Sequence, residues 1–187
     1  MDITLNPVST ALVLIDFQRS NVARQLVPHD SGTIVQNAAK LVHAFRSRGS
    51  LIVFVHVLVT ELLELTVDLP FPKGSSAPPP NASEIVEEVG FQTGDHLVAK
   101  RQWGAFYGTE LDQLLRRHRT QTIVLAGIAT NFGVESTARA AADKGYELVF
   151  AEDAMSSVDA EAHAFSVTRL FPRIGRVRST ADLLKTL

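Results

Sequence analysis

Cysteine is absent from the 187-residue chain, which removes disulfides, thiolate metal sites and thiol nucleophiles from every functional reading. No charge of one sign dominates: 18 Lys+Arg stand against 20 Asp+Glu, a formal net charge of −2. Neutralising nucleic-acid phosphates requires a positive excess, so nucleic acid is not an expected partner. Long apolar runs are missing too. The most apolar stretch, 51–59, contains His56 and falls well short of the roughly 20 residues that span a bilayer. The opening MDITLNPVST has no basic segment leading into an apolar one, so a cytoplasmic protein without a membrane partner is expected. Several motifs are also lacking. No GxGxxG follows the first apolar run and there is no GxxxxGK[ST] or GxSxG, while His56 has no HxH, HExxH or DxH partner. Dinucleotide, P-loop, serine-hydrolase and metal chemistry are thereby disfavoured, and neither cofactor nor metal ligand set is expected.

What is present is a globular composition, 45% hydrophobic, in a chain short enough to form one domain over 1–187. The run 11–15 is apolar on both alternating faces and stops at Asp16, the pattern of a strand buried on both sides. Apolar residues Ile34, Ala38, Leu41, Val42 and Phe45 fall at helical spacing before Gly49, predicting a helix over 33–48. Strands are predicted at 51–57, 96–99, 122–126, 147–151 and 174–177. Helices are predicted over 130–144, 160–170 and from Ser179, with shorter ones containing Leu111, Leu114 and Leu115 after a Thr109 cap and running to Glu88 after an Asn81 or Ser83 cap. Prolines 70, 72, 78, 79 and 80 make 69–80 a surface excursion able to carry specificity. Six strands alternating with helices imply a three-layer α/β/α sandwich around a mostly parallel sheet of Rossmann-like topology.

In such a sheet ligands bind beyond the carboxyl ends of the strands. Asp16, His56, Lys100, Gly127 and Asp153 end strands there. Asp16 and Lys100 are read either as a proton-handling pair in an apolar cleft or as two solvated strand-end residues. The segment 127–134 passes from a buried strand into a helix start. Its backbone amides can stabilise an anion, or its glycines can serve only close packing. His56 reads as a pocket or core histidine, Phe106 as core or pocket wall, and Trp103 as a pocket wall or subunit contact.

The segments LVLIDFQ, AKRQWGAFYGTELDQLLRR and VLAGIATNFGVESTARAAADKGYELVFAEDAMSS, taken in order from about Ala11 to the C-terminus, resemble the isochorismatase-like (cysteine hydrolase) superfamily. The resemblance implies the same six-stranded sandwich, assembled as a homodimer or homotetramer with pockets near subunit contacts. It implies a catalytic Asp at Asp16 and Lys at Lys100, and it puts Gly133 where the family's nucleophilic cysteine stands. It also implies a non-proline cis peptide at Ile128-Ala129 that joins the Ala129 and Gly133 N–H groups into one anion hole. True isochorismatases lack the cysteine as well, and there the matching Asp is a general acid. Against their KWRYSAF-type segment this chain reads KRQWGAF, with Gln102 at the second arginine position, and the metal-binding set of nicotinamidases is absent. The expected protein is therefore a hydrolase of a small metabolite. It would use Asp16 and Lys100 for acid-base chemistry and Gln18 to orient water, with His56, Trp103, Phe106, Ile128, Ala129 and Asn131 around the substrate. The alternative is a catalytically inactive small-molecule-binding member of the same fold.

Overall fold

The computed structural model describes residues 4–62, 65–70 and 77–187. Along the chain, β1 (Thr10–Ile15) leads into a short α1 (Arg19–Val22) and the long α2 (Ser31–Ser47). The Asp30 carboxylate caps α2 by accepting from the Thr33 N–H at 2.8 Å, which satisfies one orphan donor of the first turn. β2 (Leu51–Val57), β3 (His96–Lys100), α3 (Leu111–Arg117) and β4 (Thr122–Ile128) follow. One π-helical turn, Thr130–Val134, then runs directly into α4 (Glu135–Asp143). β5 (Glu147–Ser156), α5 (Ala160–Phe165), α6 (Phe171–Ile174), β6 (Arg176–Arg178) and α7 (Thr180–Lys185) complete the chain.

All the strand pairings are parallel, in the order β3-β2-β1-β4-β5-β6. β1 lies near the middle and is buried at every position. Its alternate residues serve two cores: Leu12 and Leu14 pack towards α2 and α7, while Ala11, Val13 and Ile15 pack towards α3, α4 and α6. Burying each Leu or Ile contributes on the order of 2 kcal/mol, so the sheet anchors both helical layers. The chain leaves β1 for β2 on one side and reaches β4 on the other. The reversal of strand order between β1 and β4 opens the crevice in which doubly wound sheets bind ligands. Among the described residues no helix is long and apolar enough to cross a membrane.

Three elements differ from expectation. The helix predicted to run to Glu88 is replaced by turns and a 3₁₀ turn at Glu87–Val89. Its backbone is drawn instead against the segment after β1, with the Val86 N–H donating to Phe17 O and the Arg19 N–H to Glu84 O. β5 runs on past Ala151 to Ser156: Leu125 pairs with Phe150 but Gly127 with Met155, so β5 bulges through Glu152 and Asp153. The Asp153 carbonyl accepts from Asn37 Nδ2, and its carboxylate takes the N–H and hydroxyl of Thr180, which pins the bulge to α2 and α7. The predicted helix over 160–170 contains a π-helical turn, Ser166–Leu170, between α5 and α6. Residues 71–76, the middle of the proline-rich excursion, lie outside the described residues.

Candidate active site

At the end of β1 the backbone turns at Asp16, whose φ of 55° lies in the left-handed region. A non-glycine residue held there costs free energy, and such outliers gather at functional sites. Asp16 is 4% exposed. Its Oδ2 accepts a hydrogen bond of 2.7 Å from Lys100 Nζ, which reaches across from the end of β3 and is itself 2% exposed. The ammonium spends its other donors on the carbonyls of Trp103 (3.0 Å) and Gln102 (3.2 Å). Asp16 Oδ1 is buried with no hydrogen-bond partner among the described residues. A buried carboxylate oxygen left unpaired is costly and marks a place for a donor. Burial pushes the Asp16 carboxyl above its ordinary 3.8, against the downward pull of Lys100 and the weaker one of His56. The pair is thus charge-compensated and dry, with a proton-holding bias on the acid.

The third component comes from the turn after β4. Gly127 has a φ of 144°, and a Cβ there would sit 2.3 Å from Ile15 O. Only glycine lets β4 approach the end of β1 this closely. The Ile128-Ala129 peptide is cis, and the Ala129 carbonyl accepts from the N–H groups of Phe132 and Val134. The helical run that begins here presents its amino end, where backbone donors and the macrodipole favour negative charge. Position 133 faces the ion pair: a Cβ on Gly133 would lie 3.1 Å from Asp16 Oδ2 and 3.5 Å from Lys100 Nζ. The structure therefore brings Asp16, Lys100 and Gly133 to one point.

The other candidate residues are distributed unevenly around that point. Trp103 is half exposed and meets Phe132, the neighbour of Gly133, with ring centroids 4.9 Å apart. His56, next to last in β2, has Nδ1 held 2.6 Å from Ser83 O, on the wall of an open cavity that also includes Pro80, Ile85 and Phe91. Asn131 Oδ1 accepts from Ser157 Oγ at 2.6 Å. Ile128 is buried in the core on the α2 face. Two residues are occupied by structure. Gln18 is wholly buried. Its Nε2 donates to the carbonyls of Val57 and Ala82 and its Oε1 takes the Val57 N–H, which leaves the amide committed to joining β2 to the 81–84 turn rather than to a water. Phe106 stacks on Tyr146 in the core beside α3 and α4, so it is a packing residue rather than a pocket wall.

Local spacing gave no sign of a second cluster on the far side of the same turn. His29 Nε2 lies 3.6 Å from Glu152 Oε2, and His163 completes the group, with the ligand atoms of all three within 4.8 Å of one another. Thr130 Oγ1 shares a 2.8 Å hydrogen bond with His163 Nδ1. Burial pushes His163 down to about 4, with a smaller push from His29. These residues come from the loop before α2, the β5 bulge and α5, and only the folded chain joins them.

Fold and site together define a three-layer α/β/α protein whose crevice carries a carboxylate-ammonium pair facing the amino end of a helix. A model of the isochorismatase domain matches residues 10–182. The chain is 48% identical over 180 residues to the uncharacterized isochorismatase family protein YwoC of Bacillus subtilis, covering 94% of this chain and 93% of that one. It is 43% identical over 187 residues to the uncharacterized isochorismatase family protein YecD of Escherichia coli O157:H7, covering 98% of each. The solved structure of an isochorismatase family protein from Burkholderia thailandensis superposes with a TM-score of 0.92 at 40% identity, over 100% of this chain and 99% of that one. The chain belongs to the isochorismatase family and is one of its hydrolases.

Proposed function

We propose that the chain hydrolyses a small anionic or carbonyl-bearing metabolite by acid-base chemistry that forms no covalent enzyme intermediate. The observation that carries this reading is the convergence of Asp16, Lys100 and Gly133, with Asp16 Oδ1 buried and without a hydrogen-bond partner among the described residues. Asp16, biased towards its protonated form by burial, delivers a proton to the substrate. Water then adds to the resulting cation and gives its proton back to the carboxylate. The adduct collapses as the bond to the leaving group breaks, the new hydroxyl becoming the carbonyl of one product and its proton passing to the leaving group. Lys100 sets the acidity of Asp16 and supplies positive charge beside it. The backbone from Ala129 to Gly133 receives the negative charge of an anionic substrate group. Trp103 and His56 wall the approach. The partner is a small molecule, the assembly a homodimer or homotetramer, and the compartment the cytoplasm.

Purified protein screened against enol ethers, amides and esters tests the reading, with ligand-induced melting shifts recorded alongside. On a substrate found in this way, Asp16→Asn is expected to lower turnover by about a hundredfold to ten-thousandfold, the usual contribution of a general acid. Full turnover by that variant would overturn the mechanism. The glycine at 133, which puts no nucleophile beside the pair, favours one rival, a binding protein of the same fold. That rival predicts thermal stabilisation by ligands with no turnover by the wild type.

A further inference from the structure

The cluster behind the turn has the make-up of a metal site. We propose that His29, Glu152 and His163 bind one first-row divalent cation, Zn²⁺ above all, with a further coordination position left open to solvent. Two imidazoles and a carboxylate are a donor set that zinc takes in sites that keep an exchangeable position. Tetrahedral zinc with ligands at 2.0–2.2 Å sets its donor atoms roughly 3.3 Å apart. The 3.6 Å between His29 Nε2 and Glu152 Oε2 already approaches that spacing, and the ligand atom of His163 lies within 4.8 Å of both.

The surroundings hold the donors in place. His163 is 4% exposed, and its Nδ1 is engaged by Thr130 Oγ1. The hydrogen bond of the ring to Thr130 is made at Nδ1, so Nε2 is the nitrogen that would serve as the ligand. With Nε2 on the metal, Nδ1 carries the proton and donates it to Thr130, the oriented outer contact that metal-binding imidazoles have as a rule. His29 is held by its neighbours: Val27 and Ser157 exchange backbone hydrogen bonds of 2.7 and 2.9 Å, and Ser156 Oγ donates to the His29 carbonyl at 2.7 Å. Glu152 sits in the β5 bulge, the kind of irregularity that re-aims a side chain. The side chains of His29 and Glu152 are 30% and 33% exposed, so a cation can enter from solvent. The bound ion would tie the loop before α2, the bulge and α5 together and, through Thr130, reach the turn that carries Gly133.

The test is Zn²⁺ binding to the untagged, chelator-stripped full chain, measured by calorimetry and by metal content after dialysis, with the visible spectrum of the Co²⁺ form as a probe of geometry. The expected result is one ion per chain and a Co²⁺ spectrum of low coordination number. Glu152→Gln and His29→Ala, both at positions about one-third exposed, are expected to weaken binding at least tenfold while the metal-free melting temperature stays close to that of the wild type. Thr130→Val, which removes only the outer contact, is expected to weaken it by about tenfold to a hundredfold. His43→Ala, on the exposed face of α2, should leave binding unchanged. Absence of stoichiometric Zn²⁺ binding by the wild type would overturn the proposal, as would binding that survives both ligand substitutions. Neither readout involves turnover, so the result stands apart from the reading of Asp16.

Discussion

The turn after β4 separates two groups of ionisable side chains that solve the problem of burial in opposite ways. On one side Asp16 and Lys100 are almost wholly removed from solvent and compensate each other at 2.7 Å. On the other, His29 and Glu152 stay about one-third exposed and only His163 is buried. Charge in the first group is held by a partner of opposite sign in a region of low dielectric, where losing either partner leaves an ion stranded. In the second group His29 and Glu152 are solvated by water, and the buried His163 is engaged by Thr130. On the two proposals made above, the contrast separates a group that holds a proton at one oxygen from a group that receives a ligand. Both touch one turn, through Gly133 and Thr130 respectively.

The sharpest way to break this comparison is to remove one charge from the dry side. Lys100→Met keeps the length of the side chain but strands the Asp16 carboxylate, and a loss of about 3–5 kcal/mol is expected at neutral pH by urea denaturation. The sign of its pH dependence follows from the Asp16 carboxyl, already raised above 3.8 by burial and pulled down chiefly by Lys100. Without Lys100 it rises further in the folded protein. The folded variant then binds a proton more tightly than its unfolded chain, so stability is present at acid pH and lost as pH rises through the folded value. The variant should therefore recover towards wild type on mild acidification. A loss of the same size at every pH would show that Lys100 acts through packing and not through its charge.

The link between the two groups comes next in size. Thr130→Val deletes the partner of His163 Nδ1 in a buried position, and an unsatisfied buried ring nitrogen costs about 1–3 kcal/mol. The expected outcome is a lower melting temperature with the pH profile of turnover unchanged, because Asp16 and Lys100 keep their contacts. A shifted profile would mean that the turn transmits between the two sides more strongly than its hydrogen bonds indicate.

These two regions were not equally legible in the sequence. Asp16 and Lys100 could be found because a parallel sheet announces its strands as uninterrupted apolar runs, and a charged residue that ends such a run has one place to go. Gly133 is singled out only by the family resemblance, which puts it at the position of the nucleophilic cysteine. The second group rests on tertiary events that leave no local trace. Residues 29, 152 and 163 come from three elements, and Glu152 is aimed by a bulge in a strand whose pattern reads as ending at Ala151. Gln18 and Phe106 show the same limit. Both stand beside catalytic-type residues in sequence, yet the buried Val57 and Ala82 backbone groups claim the first and Tyr146 claims the second. The stretch to Glu88 departs from its helical signal because hydrogen bonding to Phe17 and Arg19 overrides its capping residues.

The smallest effect belongs to the open side. Glu152→Gln removes a carboxylate that is one-third exposed and 3.6 Å from His29, and contacts of this kind contribute no more than about 1 kcal/mol. In the presence of a chelator the variant should melt within a few degrees of the wild type, since water can solvate whatever the substitution uncovers. The change from Asp16 to Asn on the dry side shares the same chemistry, a carboxylate replaced by its amide, which makes the two variants a matched pair. Asp16→Asn is expected to lose turnover, whereas Glu152→Gln in chelator is expected to retain both turnover and fold. Differential scanning calorimetry and a single steady-state assay on both proteins decide the matter. A large stability loss in Glu152→Gln without metal would mean that the carboxylate is needed to hold the β5 bulge itself, and the division between a proton-holding side and a ligand-receiving side would then fail.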